Sequence, residues 1–298
     1  MSKNSVGKRE SRLLELPSPF PLEPGTVKLL EPAAGFGPEQ RDRLREGTLR
    51  HPFIIDSGRT RNLFFTTAAV QSAMLLDDPH ALVAPYTRKM MAFLLFRPVP
   101  RHILMIGLGG GSLAKFCYHR LPRTRITAVE ISAEIIALRE EFAIPADNGR
   151  FEIIHGDGAT FLRKVRPSPD VILIDAFDEL GVSPSLASSD FYETARRCMT
   201  PDGVLVMNLS GAKNRYAVHI DGVRATFPGP IRLVPVDGED NLLVFAFAQR
   251  HGSELPDAYQ HRVRYFERTL GLEFSRYFAR LRDLGCRSAR SAGGTCTG

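Results

Sequence analysis

Four short segments carry residues whose types and spacing could do chemistry. The first is Ile106-Gly107-Leu108-Gly109-Gly110-Gly111-Ser112, between an apolar run and a helical one. Glycines such as Gly107, Gly109 and Gly111 let the backbone approach a ligand closely, and a helix N-terminus offers free N–H groups. The second is Val129-Glu130-Ile131, where Glu130 lies about 20 residues after the loop and can accept hydrogen bonds from both ribose hydroxyls. The third is Gly156-Asp157-Gly158-Ala159. Asp157 can accept from an adenine amino group while capping a helix that starts at Ala159. The fourth is Ile174-Asp175-Ala176-Phe177-Asp178-Glu179, three carboxylates directly beyond an apolar strand. Such a group suits a cationic substrate and can take a proton from an ammonium.

The glycine spacing discriminates among nucleotide sites. A dinucleotide loop follows G-x-G-x-x-G/A, and its third position here is Ser112, which weakens a nicotinamide-dependent oxidoreductase. No Gly-Lys-Ser/Thr follows, so a Walker loop is excluded. The run fits G-x-G-x-G, which resembles the S-adenosylmethionine-type loop. An Asn/Asp-Pro-Pro-aromatic motif, expected of a nucleic-acid amino-methyltransferase, is absent from the fourth segment.

The elements around these segments alternate. Strands are expected at His102–Ile106, Arg125–Val129, Phe151–Ile154, Val171–Ile174 and Val204–Asn208. Helices are expected at Ser112–Leu121, Ala133–Phe142, Ala159–Val165 and Asp190–Met199. The alternation, with near-continuous apolar strands, predicts an α/β fold built on a parallel sheet. The later strands Arg232–Val236 and Leu242–Ala248 flank a short turn and predict an antiparallel hairpin. Upstream, Pro52–Asp56, Leu63–Thr67 and Val70–Leu75 read as strands, and a helix is expected from Asp77-Asp78-Pro79 to about Phe96. The segment Met1–Gly47 has no clear period and is expected to wrap the surface or to be partly disordered. Residues Asp257–Leu284 read as one helix, with Gly285–Gly298 a loose tail. Three divisions follow: 1–76, an N-terminal extension with a small β-rich segment; 77–250, a Rossmann-like domain; 251–298, a C-terminal helix and tail.

Composition sets wider bounds. The chain has 298 residues, 43% hydrophobic and 24% charged, the mix of an ordinary globular protein. The longest apolar stretch, near Met90–Phe96, is too short to span a membrane, which takes about 20 residues. The polar N-terminus has no apolar core of a secretory signal. Cys117, Cys198, Cys286 and Cys296 form no Cys-x-x-Cys pair, so no metal site is expected and a reducing cytoplasm is the default. The net charge of +6 comes from arginines scattered along helix faces and the C-terminal stretch, so a nucleic-acid partner is not indicated.

Taken in order, the glycine loop, Val-Glu-Ile, Gly-Asp-Gly, Asp-x-x-Asp, and Phe191-Tyr192 before Pro201-Asp202-Gly203-Val204-Leu205 resemble the polyamine aminopropyltransferases, the spermidine and spermine synthases. The resemblance covers roughly Pro52 to Leu209. It implies a methyltransferase-like Rossmann domain with a small N-terminal β-domain, and a tendency to form oligomers such as a homodimer. The implied reaction moves an aminopropyl group from decarboxylated S-adenosylmethionine to putrescine or a similar amine, leaving methylthioadenosine. By resemblance Glu130 is the ribose acid, Asp157 the adenine contact, Asp175 the proton acceptor and Asp178 an amine partner. Gln71 is the donor-side glutamine and Tyr86 the substrate-side tyrosine.

The resemblance breaks in three places. The loop acid that grips the donor's ammonium is Gly110 here. Thr87-Arg88-Lys89 replaces the expected Gln or His followed by Glu, and two cations there would repel a diamine if they faced it. A later substrate-binding tyrosine has no clear counterpart, Tyr216 being a poor match. Intact S-adenosylmethionine used by a methyltransferase or an aminocarboxypropyl transferase is therefore the alternative, and a non-catalytic binding relative a further one.

Overall fold

The computed structural model describes residues 13–21, 23–30, 36–66, 69–164, 168–178, 181–182, 184–211, 213–249 and 259–291, and of 177–178, 181–182, 184 and 283–291 the backbone alone. The chain opens with a five-stranded antiparallel sheet. Strands β1 (Leu13–Pro17) and β2 (Thr26–Leu30) form a hairpin, helix α1 (Pro38–Arg45) follows, and β3 (Phe53–Ser57), β4 (Thr60–Phe64) and β5 (Val70–Leu75) extend the sheet in sequence order. Alternation puts Val27, Leu29, Phe53, Ile55 and Phe64 on one face, closed by Leu44 of α1. Ile54 and Leu63 face the main body instead. The hairpin and α1 correct the expectation of an aperiodic segment over 1–47. Five-residue strands split by a proline-rich turn show too few alternations to be seen in sequence.

Helix α2 (Pro85–Met90) runs directly into a 3₁₀ turn at Met91–Leu95. It does not begin at Asp77-Asp78-Pro79. Ala84 precedes a proline, which disfavours helical ψ, and it is extended at φ −70°, ψ 132°. A helix begun earlier cannot pass it, whereas Pro85 suits a first turn.

The main body alternates as expected. Its elements are β6 (His102–Ile106), α3 (Ser112–Arg120), β7 (Arg125–Glu130), α4 (Ala133–Ala137), β8 (Phe151–His155), α5 (Gly158–Lys164) and β9 (Val171–Ile174). A two-residue hairpin, β10 (Phe177–Asp178) with β11 (Gly181–Val182), leads to α6 (Ser189–Cys198), β12 (Val204–Leu209), α7 (Tyr216–Thr226), β13 (Arg232–Pro235) and β14 (Leu242–Phe247). Helix α4 stops short of Phe142. The sheet order is β13-β14-β12-β9-β6-β7-β8, parallel from β12 to β8 and antiparallel at β14 and β13. Successive strand residues feed two cores. Ile103, Met105, Val171 and Leu173 pack with Phe116 of α3, while Leu104, Ile106, Ile172 and Ile174 pack with Phe191 and Tyr192 of α6. Each fully buried side chain of this kind stabilises the fold by about 1.5–3 kcal/mol.

The C-terminal region is two helices, α8 (Gln260–Leu270) and α9 (Phe274–Ser291), not one. Gly271, at φ 68°, ends α8 in the left-handed conformation that favours glycine. Phe266, Phe274, Phe278 and Leu281 are buried at helical spacing, whereas Tyr265 is exposed. The expectation of a loose tail from Gly285 is corrected as far as Ser291, where α9 ends, and residues 292–298 lie outside the described residues; an interior glycine costs a helix only about 1 kcal/mol. Among the described residues no helix is long and apolar enough to cross a membrane.

Candidate active site

From β6 the chain steps outward to β7 and β8, then returns to β9 on the other side of β6. A crevice opens beyond the carboxyl ends of strands at such a reversal. The strand ends are locked together there. The Asp175 N–H donates to the Ile106 carbonyl at 2.9 Å, and the Gly107 N–H to the Val129 carbonyl at 2.9 Å. Gly107 has φ 92°, and a Cβ there would overlap the Asp175 carbonyl oxygen. Only glycine lets the loop close on the strand that carries Asp175. The resulting cleft holds about 840 Å³.

One side of the cleft carries Glu130 and Asp157. Glu130 ends β7 and is 8% exposed. Its Oε2 accepts from the Leu108 N–H and its Oε1 from the Ser132 N–H, both at 2.8 Å. Each oxygen keeps a lone pair for a ligand. Asp157 caps α5 through Oδ1, which accepts from the Thr160 N–H at 2.8 Å, and its Oδ2 accepts from the Ser185 hydroxyl at 2.8 Å. Burial would raise this carboxyl, but the Ser185 and Thr160 donors outweigh it and hold the group below its ordinary value. Gln71 of β5, Gly107, Gly109 and Gly158 also line the cleft. Gly111 does not; it caps α3 at φ 68°, where a Cβ would meet Ile144 at 2.6 Å.

The other side centres on Asp175. Its Oδ2 accepts from the Tyr86 hydroxyl and its Oδ1 from the Asn208 amide, each at 3.0 Å. Asn208, 1% exposed at the end of β12, accepts in turn from Asn241 at 2.9 Å. Protein surrounds Asp175 except toward the cleft. Burial raises its affinity for a proton, and the Asn208 and Tyr86 donors offset that only in part. Burial and the adjacent Asp175 charge push the Tyr86 phenol well above its usual value, so it stays a donor. The Asp178 backbone lies in β10, and its side chain is outside the described residues.

The departures read in the sequence take a definite form. Lys89 turns away from the cleft, its Nζ donating to the Pro235 carbonyl at 2.9 Å and pairing with Asp237 at 3.4 Å. Arg88 donates to the Leu82 carbonyl at 2.9 Å. Neither cation lines the cleft. At Gly110 an added Cβ would lie 2.7 Å from the Ser72 hydroxyl oxygen and 3.0 Å from the Phe142 ring. The space an acid would need there is filled by Ser72 and Phe142.

Several lining residues were not singled out from sequence. Asn208 had a signal, a lone amide in an apolar run, whereas Ser185 in a short 3₁₀ helix and Glu239 and Asn241 between β13 and β14 have nothing local to mark them. Among the described residues the cleft is lined by six carboxylates, Glu130, Glu134, Asp157, Asp175, Glu239 and Asp240, against one arginine, Arg50. Such a balance suits a cationic ligand.

These features define a class, a Rossmann-like α/β protein with a small antiparallel sheet attached and a polar cleft at the switch point. Its relatives narrow that class. A family profile described as the spermine/spermidine synthase domain matches residues 84–215. The chain is 38% identical over 237 residues to a polyamine aminopropyltransferase of Chromobacterium violaceum, covering 79% of this chain and 91% of that protein. A polyamine aminopropyltransferase of Neisseria meningitidis is 36% identical over 231 residues, covering 77% and 88%. The fold is similar to a probable spermidine synthase from Corynebacterium glutamicum, at a TM-score of 0.60 and 20% identity over 74% of this chain and 84% of that one. The chain belongs to the spermine/spermidine synthase family, the polyamine aminopropyltransferases.

Proposed function

We propose that this chain moves the aminopropyl group of decarboxylated S-adenosylmethionine to a polyamine such as putrescine, releasing methylthioadenosine. The observation that carries this reading is Asp175, held between Tyr86 and Asn208 on the cleft floor. The names of the relatives support aminopropyl rather than methyl transfer. On this reading Glu130 takes the ribose hydroxyls and Asp157 the adenine amino group, with Gln71 and the glycine loop around the donor. Asp178 and Tyr86 flank the acceptor amine.

The chemistry is an in-line displacement. The amine nitrogen attacks the carbon beside the sulfonium, a C–N bond forms, and the C–S bond breaks with its electron pair going to sulfur. The nitrogen must be neutral to attack, and its surplus proton passes to Asp175. A carboxylate whose proton affinity is raised by burial suits that task. Holding donor and acceptor in line supplies much of the remaining acceleration. A homodimer and a reducing, cytoplasmic setting belong to the same reading.

Parallel calorimetric titration with S-adenosylmethionine and its decarboxylated form tests the donor. Preference for the decarboxylated form, followed by turnover in an amine screen, is expected. Preference for the intact donor would overturn the reading.

A further inference from the structure

Glu239 has no role in the reading above, yet its half-buried side chain lines the same cleft. It sits in the turn between β13 and β14, closed by the Val236 N–H donating to the Asn241 carbonyl at 3.0 Å. The neighbouring Asp237 is tied outward to three cations, Lys89 at 3.4 Å, Arg276 at 2.9 Å and Arg280 at 3.2 Å. That clamp ties Asp237 to Lys89, Arg276 and Arg280, whereas Glu239 lines the cleft. Its Oε2 accepts from the Tyr86 backbone N–H at 3.2 Å. Tyr86 therefore has Asp175 at its hydroxyl end and Glu239 at its backbone end. The two carboxylates thus bond to opposite ends of one tyrosine, and both line the cleft. The donor-side acids Glu130 and Asp157 belong to the opposite wall, with β7 and α5.

We infer that Glu239 holds the far ammonium of a diamine acceptor whose near amine lies at Asp175. The inference rests on the aminopropyl-transfer reading and adds a residue that selects diamines over monoamines. The acid comes from the β13–β14 turn, on a side of the cleft that Gly110 cannot serve.

The test compares 1,4-diaminobutane with butylamine as acceptors at saturating donor, in the wild type and in Glu239→Gln. Glutamine can still accept from the Tyr86 N–H, so the substitution removes charge and keeps that contact. The expected result is a KM for the diamine raised about ten-fold or more, the scale of one charge-assisted hydrogen bond, with the butylamine KM within about two-fold. Glu239→Asp is expected to recover part of the diamine preference, and methylthioadenosine affinity is expected to stay the same in both variants. Equal effects on both amines, no effect on either, or loss of methylthioadenosine binding would overturn the inference. A wild type that turns over no amine would instead overturn the aminopropyl-transfer reading, and this inference with it.

Discussion

The Tyr86 hydroxyl donates to Asp175 Oδ2 at 3.0 Å, joining the first turn of α2 to the end of β9 across 89 positions of sequence. The bond stabilises the ionised carboxylate, and burial opposes it. The balance between the two sets the pH at which Asp175 can accept a proton.

Replacing Asp175 by Asn is expected to lower turnover by about 10²–10⁴-fold, the usual contribution of a general base. Methylthioadenosine binding, measured by calorimetry, is expected to persist. Unchanged turnover would remove Asp175 from the mechanism.

Tyr86→Phe deletes one donor to the ionised form of Asp175. The carboxyl rises further, so the acidic limb of the kcat/KM profile is expected to move to higher pH. A limb that stays in place would mean that another group controls it.

Glu130→Ala is expected to weaken methylthioadenosine binding by about 1–3 kcal/mol, the scale of hydrogen bonds to a charged group. It also strips the Leu108 and Ser132 N–H groups of their acceptor, so the melting temperature is expected to fall as well. Equal affinity in calorimetry would exclude Glu130 from the ligand site.

Gly110→Asp restores the acid that the family resemblance places in the loop. Contact with Ser72 and Phe142 makes this an overpacking change, expected to destabilise by about 1–3 kcal/mol rather than to improve donor binding. Thermal melting and calorimetry together decide it, and tighter donor binding at unchanged stability would contradict this account.

Lys115 on α3 is 1% exposed, and its Nζ donates to the Phe142 carbonyl at 2.7 Å. Burial lowers its pKa to about 8, below the 10.5 of a free lysine. Between those values the unfolded chain holds a proton that the native one has released, so stability rises with pH across that window, by about 3 kcal/mol at most. Denaturant unfolding at pH 7 and 10 should show a change in stability that is more favourable in the wild type than in Lys115→Met.

Much of the site was legible because chemistry follows uninterrupted strands. Gly107, Glu130, Asp157 and Asp175 each stand at or just beyond the end of a short apolar run, and a parallel sheet puts such ends along one edge. The glycine loop could be told from a dinucleotide loop by Ser112 alone. What stayed hidden depends on contacts between distant segments. Nothing local in Asp237-Gly238-Glu239-Asp240 says that one acid turns inward while another is clamped outside. Likewise, whether Arg88 and Lys89 face the acceptor is not legible until β13 and its turn are seen to draw Lys89 away. The break between α8 and α9 was present in the sequence as Gly271, but the continuous apolar spacing on both sides masked it.

The clamp on Asp237 also bears on the order in which the protein acquires its abilities during synthesis. The glycine loop, Glu130, Asp157 and Ser185 are all synthesised before residues 186–298. The turn that carries Glu239 gains its last two ties, Arg276 and Arg280, only near the end of synthesis. A nascent chain would thus contain the residues of its nucleoside side before it held those that brace the turn carrying Glu239.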